Sequence, residues 1–64
     1  MRAVLRHIAT RAYLRGVDEL ASAYAEAAVC GNPRGAALHL AASAVWFGAT
    51  AAACAVAALV GRAA

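Results

Sequence analysis

Two histidines and two cysteines are the side chains of this sequence best suited to chemistry: His7, His39, Cys30 and Cys54. Imidazole and thiolate groups are common zinc ligands, but structural zinc sites pair their ligands within a few residues of each other. These four side chains lack that close paired spacing. We therefore predict no metal ion and no other bound cofactor.

A disulfide between the two cysteines is also not expected. In a helical hairpin turning near residues 31–35, Cys30 would sit beside the turn and Cys54 near the far end, roughly 30 Å away at 1.5 Å per helical residue. A disulfide holds its two Cα atoms within about 7 Å. We expect both cysteines to behave as small buried hydrophobic residues.

His39 has two interpretations. It stands at the start of an uncharged segment, where a histidine near the membrane surface bonds water or backbone groups. The alternative is a ligand to haem or a chlorin, or a proton-transfer group. The first interpretation is the simpler one, so His39 is not assigned a cofactor.

Enzyme chemistry is not predicted. The sequence has no acid pair sharing a helix face with a base, no serine, histidine and aspartate arrangement and no glycine-rich phosphate loop. The net charge of +3 raises nucleic-acid binding as an alternative, but no recognised motif accompanies the arginines, and three acidic residues interrupt the basic patch. We expect neither a small-molecule substrate nor a nucleic-acid partner.

The elements that would position these residues are two helices, which makes the predicted fold class all-α. Residues 1–30 form an amphipathic surface helix, residues 31–35 a turn, residues 36–61 a transmembrane helix and residues 62–64 a tail. The turn is predicted from Gly31, which can end a helix, and Pro33, which cannot continue one.

The second segment carries no charge over the 27 residues from Gly35 to Gly61. As a helix it would be about 40 Å long, against a hydrocarbon core of about 30 Å. Small residues recur along it at an alternating spacing of four and three, which leaves one helix side bare for close packing by another helix. We call this set the small-residue seam: Ala37, Ala41, Ala44, Gly48, Ala51, Ala55 and Ala58.

Two further faces of the second helix follow from turning 100° per residue. One face is aliphatic and suits lipid, with Leu38, Val45, Val56 and Val60. The other is weakly polar and would prefer protein or water to acyl chains. This predicted polar face consists of His39, Ser43, Trp46 and Thr50, continued by Ala57 and Gly61.

The first segment repeats apolar residues on one helical face, namely Tyr13, Val17, Leu20, Ala21, Tyr24 and Ala28. Its first sixteen residues contain four arginines and no acid, which resembles a mitochondrial targeting segment. An interfacial basic helix attracted to anionic lipid is the alternative. Both interpretations predict membrane-surface contact through Arg2, Arg6, Arg11, Arg15 and Arg34.

Together these observations predict a small single-pass accessory subunit of a multi-subunit membrane complex, with larger membrane subunits and the lipid bilayer as partners. The favoured host is a respiratory-chain complex or ATP synthase, and the favoured location is the mitochondrial inner membrane over a bacterial cytoplasmic membrane. The excess of arginine before the span predicts that the N-terminus stays on the cytoplasmic or matrix side. Two alternatives stay open: a soluble alanine-rich hairpin that dimerises into a bundle, and a membrane-active peptide of the holin or toxin type.

Overall fold

The chain forms an antiparallel pair of helices in a computed structural model that describes residues 1–63. Helix α1 spans Arg2–Ala28 and helix α2 spans Pro33–Ala63. The pair is a thin rod with extents of 50 × 14 × 10 Å. The described part of the chain contains no strand, and the predicted all-α fold is confirmed.

The turn between the helices depends on one residue in the left-handed conformation. Gly31 has φ +62°, a value that side chains with a Cβ disfavour. The last turn of α1 is closed by main-chain hydrogen bonds that the N–H groups of Val29 and Cys30 donate to the carbonyl of Ala25. Gly31 therefore ends α1 as the sequence predicted.

Helix α2 begins earlier than predicted, at Pro33 rather than at residue 36. Asn32 caps it: its side-chain Oδ1 accepts a hydrogen bond of 3.1 Å from the N–H of Gly35, and its carbonyl accepts one of 3.0 Å from Ala36. Proline suits the first position of a helix because the N–H it lacks would have no partner there. Pro33 thus both prevents α1 from continuing and starts α2.

At its other end α2 extends through Arg62 and Ala63, two residues of the predicted tail. Ala64, the last residue of that tail, lies outside the described residues.

The two helices meet along narrow stripes with an alternating spacing of three and four residues, the pattern that keeps one helix side against its neighbour. Gly16 and Ser43 lie at the centre of the contact. On α1 the buried and half-buried stripe is Leu5, Ala9, Ala12, Gly16, Glu19, Ala23 and Glu26. On α2 it is Ala36, His39, Ser43, Trp46, Thr50, Ala53, Ala57 and Val60.

The apolar face predicted for α1 is not the one that contacts α2. Leu20 and Tyr24 are exposed, and Tyr13 contacts Phe47 while staying half exposed, so the centre of the contact is the stripe that contains Gly16 and Glu19. Small residues are favoured at the centre of the contact because they let the helix axes approach, whereas tyrosine and leucine there would keep the axes further apart.

Helix α2 is long and apolar enough to cross a membrane. It has 31 residues, and its most apolar window has a mean hydropathy of 1.9. Only 6% of that window is buried inside the chain, so α1 covers little of its apolar surface. The prediction of one C-terminal helix able to span a bilayer is confirmed by length and composition.

Candidate functional site

The helices are in tight contact at Gly16. The Ser43 hydroxyl donates a buried hydrogen bond of 3.1 Å to the Gly16 carbonyl. A Cβ added at Gly16 would lie 2.6 Å from Cε1 of Phe47, closer than van der Waals contact permits. Position 16 therefore has room for a glycine only, unless the Phe47 ring moves.

Aromatic contacts flank this central contact on two sides. On one side the rings of Tyr13 and Phe47 are tilted at 47° with centroids 5.9 Å apart, within the range of favourable aromatic pairs. On the other side the guanidinium of Arg15 lies 5.3 Å from the ring centroid of Trp46, a cation–π distance. The charge of Arg15 thus has a favourable partner on α2.

One hydrogen bond between a histidine and a carboxylate joins the helices between the centre and the turn. His39 Nδ1 donates to Glu19 Oε2 at 2.6 Å, and both side chains are about one-third exposed. An ionised carboxylate only accepts hydrogen bonds, so Nδ1 carries the hydrogen. Each of these two side chains therefore restrains the other. Within residues 1–63, this is the only close contact between a carboxylate and a basic side chain.

The predicted polar face of α2 is therefore largely covered, and helix α1 of the same chain covers it. Ser43 is buried, and His39, Trp46 and Thr50 are half-buried. The Thr50 hydroxyl donates to the Trp46 carbonyl at 3.0 Å, which satisfies it within α2. Helix α1 thus covers much of this face within the chain itself, and the preference of the face for protein or water over lipid stays a prediction.

The small-residue seam lies on nearly the opposite side of α2 from α1. All seven of its residues are exposed: Ala37, Ala41, Ala44, Gly48, Ala51, Ala55 and Ala58. A Cβ added at Gly48 would meet nothing within 4 Å. Ala58 also lines the space between the helices at the open end, and the role of the seam in packing against another helix stays a prediction.

The five arginines predicted to contact a membrane surface are spread along the rod. Arg2 and Arg6 lie at the open end of the hairpin, beside the last turns of α2. Arg34 lies at the turn, and the sequence places Arg11 and Arg15 between the two ends. All five are exposed, and their contact with a membrane surface stays a prediction.

The cysteines are free, as expected, but both are exposed. The prediction that they are buried is wrong, because the contact stripes of the two helices pass beside Cys30 and Cys54 rather than through them. Among residues 1–63 no group of three histidine, cysteine or acidic side chains could hold a metal ion.

Sequence reasoning missed Gly16 and Glu19, the two α1 residues at the centre of the contact. The available signal was the alternating spacing of α1 itself, which the two glutamates in the stripe obscured. Comparisons of the chain with known protein families, with curated proteins and with solved structures give no match.

Proposed function

We propose that this protein is a small non-catalytic subunit of a membrane complex, in which the hairpin fills a groove between larger subunits and α2 crosses the bilayer. The observation that carries the proposal is the uncovered apolar surface of α2. Leu38 and Val45, for example, are 66% and 71% exposed, and no charge interrupts the surface from Gly35 to Gly61.

An apolar surface of this extent is unusual in a water-soluble monomer, where contiguous apolar patches rarely exceed a few hundred Å². Lipid or protein must cover it. The length of the rod suits a bilayer, because 50 Å exceeds the roughly 40–45 Å that includes both headgroup layers.

The charges of α1 limit where lipid can contact the hairpin. A charged side chain at the bilayer centre costs about 2.5–3.5 kcal/mol on insertion scales. Arg15 and Glu19 have partners on α2, whereas Arg11 and Asp18 are exposed. We therefore place the exposed side of α1 against polar groups of a larger subunit rather than against acyl chains.

The small-residue seam supplies a second contact on the opposite side of the hairpin. Helices in membranes associate chiefly by close packing and interhelical hydrogen bonds, and small residues let their backbones approach. A hairpin that contacts a larger subunit on each of its two sides would stabilise the packing between those subunits. An energy-transducing host, either a respiratory-chain complex or ATP synthase in the mitochondrial inner membrane, is supported only by the resemblance of the arginine-rich segment to a targeting segment.

The experiment that tests this proposal replaces Gly48 with leucine. The open space at Gly48 lets the hairpin accept the new side chain, so any loss reports a contact outside the chain. The matched control is Ala49→Leu, at an exposed position off the seam. Membranes are washed with carbonate and solubilised gently, and the tagged chain is followed through a size separation of native complexes.

We expect wild type and Ala49→Leu to remain in washed membranes and to migrate with a large complex, and Gly48→Leu to be released from that complex. Normal stoichiometry of Gly48→Leu in the complex would contradict the seam contact. Extraction of wild type by carbonate would contradict the membrane location.

A second candidate function is a structural bundle of two hairpins in water. It is favoured by the pairing of α1 and α2 along their whole length, and by the charge pattern of α1, which is basic over Arg2–Arg15 and acidic over Asp18–Glu26. Two antiparallel copies would set opposite charges side by side. Analytical ultracentrifugation without detergent distinguishes the bundle from the membrane subunit, since only the bundle predicts a monodisperse dimer.

A further inference from the structure

A cavity of about 240 Å³ opens between the helices at the open end of the hairpin. Helix α1 lines it with Arg2, Leu5, Arg6 and Ala9, and helix α2 lines it with Ala53, Cys54, Ala57 and Ala58. Alanine side chains fill little of the space between helices, and Leu5 is the largest apolar residue in the lining. The cavity is therefore a consequence of the same small residues that let the helices approach.

The lining has two chemically distinct parts. Most of the wall is aliphatic, while Arg2 and Arg6 stand one helical turn apart on α1 and supply two guanidinium groups. Arg2 is positioned by α2, because its guanidinium carbon would lie 3.6 Å from a Cβ at Gly61. Within residues 1–63 neither arginine has a carboxylate partner.

An apolar pocket whose two guanidinium groups have no carboxylate partner among residues 1–63 suits an anion that carries a hydrocarbon tail. Arginine binds phosphate through several donors in a fixed geometry. The aliphatic wall would bury the first methylene groups of the tail, at about 0.8 kcal/mol for each. Inorganic phosphate would gain only the first of these interactions.

We propose that this cavity binds one acidic phospholipid, with its phosphate on Arg2 and Arg6 and the start of an acyl chain against Ala53 and Ala57. The inference rests on the proposed membrane location. A 50 Å rod centred on a 30 Å hydrocarbon core extends about 10 Å into each headgroup layer. Arg2 and Arg6 lie within that distance of the open end, at the depth of the lipid phosphates.

The turn end of the hairpin is the natural comparison. Arg34 is exposed there, but Glu26 is nearby, since its Oε2 would lie 2.9 Å from a Cβ at Gly35. One arginine, at an end of the hairpin that also carries a carboxylate, attracts an anion less than two arginines do. The two ends therefore provide a matched pair of positions for substitution.

The test is native mass spectrometry of the full chain in neutral detergent micelles, titrated with phosphatidylglycerol or with phosphatidylcholine. We expect wild type to retain one phosphatidylglycerol and to bind phosphatidylcholine at least tenfold more weakly. Arg2→Gln/Arg6→Gln should bind phosphatidylglycerol roughly 30-fold more weakly, from about 1 kcal/mol for each arginine. Arg34→Gln, the control at the turn end, should bind as wild type does.

The apolar half of the site is tested with Cys54→Leu, whose larger side chain occupies part of the cavity. Cys30→Leu, the same substitution at the turn, is the control. Losing about two buried methylenes should weaken phosphatidylglycerol binding roughly tenfold in Cys54→Leu, and Cys30→Leu should have no effect. Equal competition by inorganic phosphate would identify an anion site without a tail site and overturn the assignment to lipid.

Equal losses in Arg2→Gln/Arg6→Gln and Arg34→Gln would also overturn it, because they would indicate attraction by net charge alone. Binding in micelles is measured without any partner subunit. A chain that binds phosphatidylglycerol but joins no complex would contradict the proposed function only, and a chain that joins a complex without binding this lipid would contradict the inference only.

Discussion

The Ser43 hydroxyl donates a hydrogen bond to the main-chain carbonyl of Gly16 across the hairpin, with 3.1 Å between the two oxygens. Glycine leaves the main chain of α1 open at this point, so a side chain on α2 reaches its carbonyl. The absence of a Cβ at residue 16 therefore sets how closely the two helices approach, and the neighbouring Phe47 ring occupies the space that a Cβ would need.

Replacing Gly16 with leucine should separate the helices. The new side chain collides with Phe47 and removes the space for the Ser43 hydrogen bond, at a cost of several kcal/mol that the gain in helix propensity of about 1 kcal/mol does not offset. Trp46 emission during chemical denaturation measures the effect, because Trp46 lies in the contact and is the only tryptophan. Gly48→Leu is the control, and equal destabilisation by both would contradict the central role of Gly16.

Removing the hydroxyl in Ser43→Ala should have a smaller effect. The substitution deletes one buried hydrogen bond and creates little empty space, so we expect a loss of about 1 kcal/mol in unfolding free energy. Thr50→Ala serves as the comparison, because the Thr50 hydroxyl bonds within its own helix. If Thr50→Ala cost as much as Ser43→Ala, the hydrogen bond between the helices would have no special weight.

The pair formed by Glu19 and His39 should show a coupling energy in a double-mutant cycle. Glu19→Ala and His39→Ala each remove the hydrogen bond at 2.6 Å. Both side chains are about one-third exposed, so solvent weakens the interaction and we expect a coupling of about 1 kcal/mol. Additive effects of the two substitutions on unfolding free energy would show that the contact contributes nothing to the hairpin.

The turn should respond to two conservative substitutions. Gly31→Ala forces a Cβ into the left-handed region and should cost about 1–2 kcal/mol. Asn32→Ala removes the side-chain cap of α2 and should cost about 1 kcal/mol. Gly35→Ala is not a neutral control, because its Cβ would lie 2.7 Å from the Asn32 side chain. The control is Ala37→Ser, at an exposed position of α2. A wild-type unfolding midpoint in Gly31→Ala would contradict the strain argument.

The cysteines provide a direct measure of membrane burial. Cys30 and Cys54 are both exposed in the isolated chain, so a water-soluble maleimide should label both in mild detergent. In intact membranes we expect Cys30, beside the turn, to react and Cys54, within the uncharged stretch of α2, to react at least tenfold more slowly. Equal labelling rates in membranes would indicate that α2 is not surrounded by lipid or protein.

Much of the fold could be predicted from the sequence because its strongest signals are local. Glycine and proline at residues 31 and 33 change backbone conformation without help from the rest of the chain, and the predicted turn is present. The long uncharged stretch likewise predicts a helix able to span a bilayer from composition alone. Helix α2 begins three residues before its predicted start because proline, which ends a helix that precedes it, is also a favourable first residue of the next one.

The pairing of the helix faces could not be predicted in the same way. Both helices offered several stripes at helical spacing, and the choice among them depends on how two surfaces fit together. The apolar face predicted for α1 includes Tyr13 and Leu20, whereas the buried and half-buried residues at the centre of the contact are Gly16 and Glu19. Glu19 looks unsuited to an interface until His39 is brought opposite to it, and that contact spans twenty residues of sequence.

The antiparallel course of the chain brings the start of α1 and the end of α2 to the same end of the rod, with the 29–32 turn 50 Å away at most. If this pair crosses a bilayer intact, reporter enzymes fused before residue 1 and after residue 63 would be active in the same compartment, and a protease site inserted in the turn would be cut from the opposite one. A single crossing by α2, with α1 released onto the surface, would instead divide the two reporters between compartments.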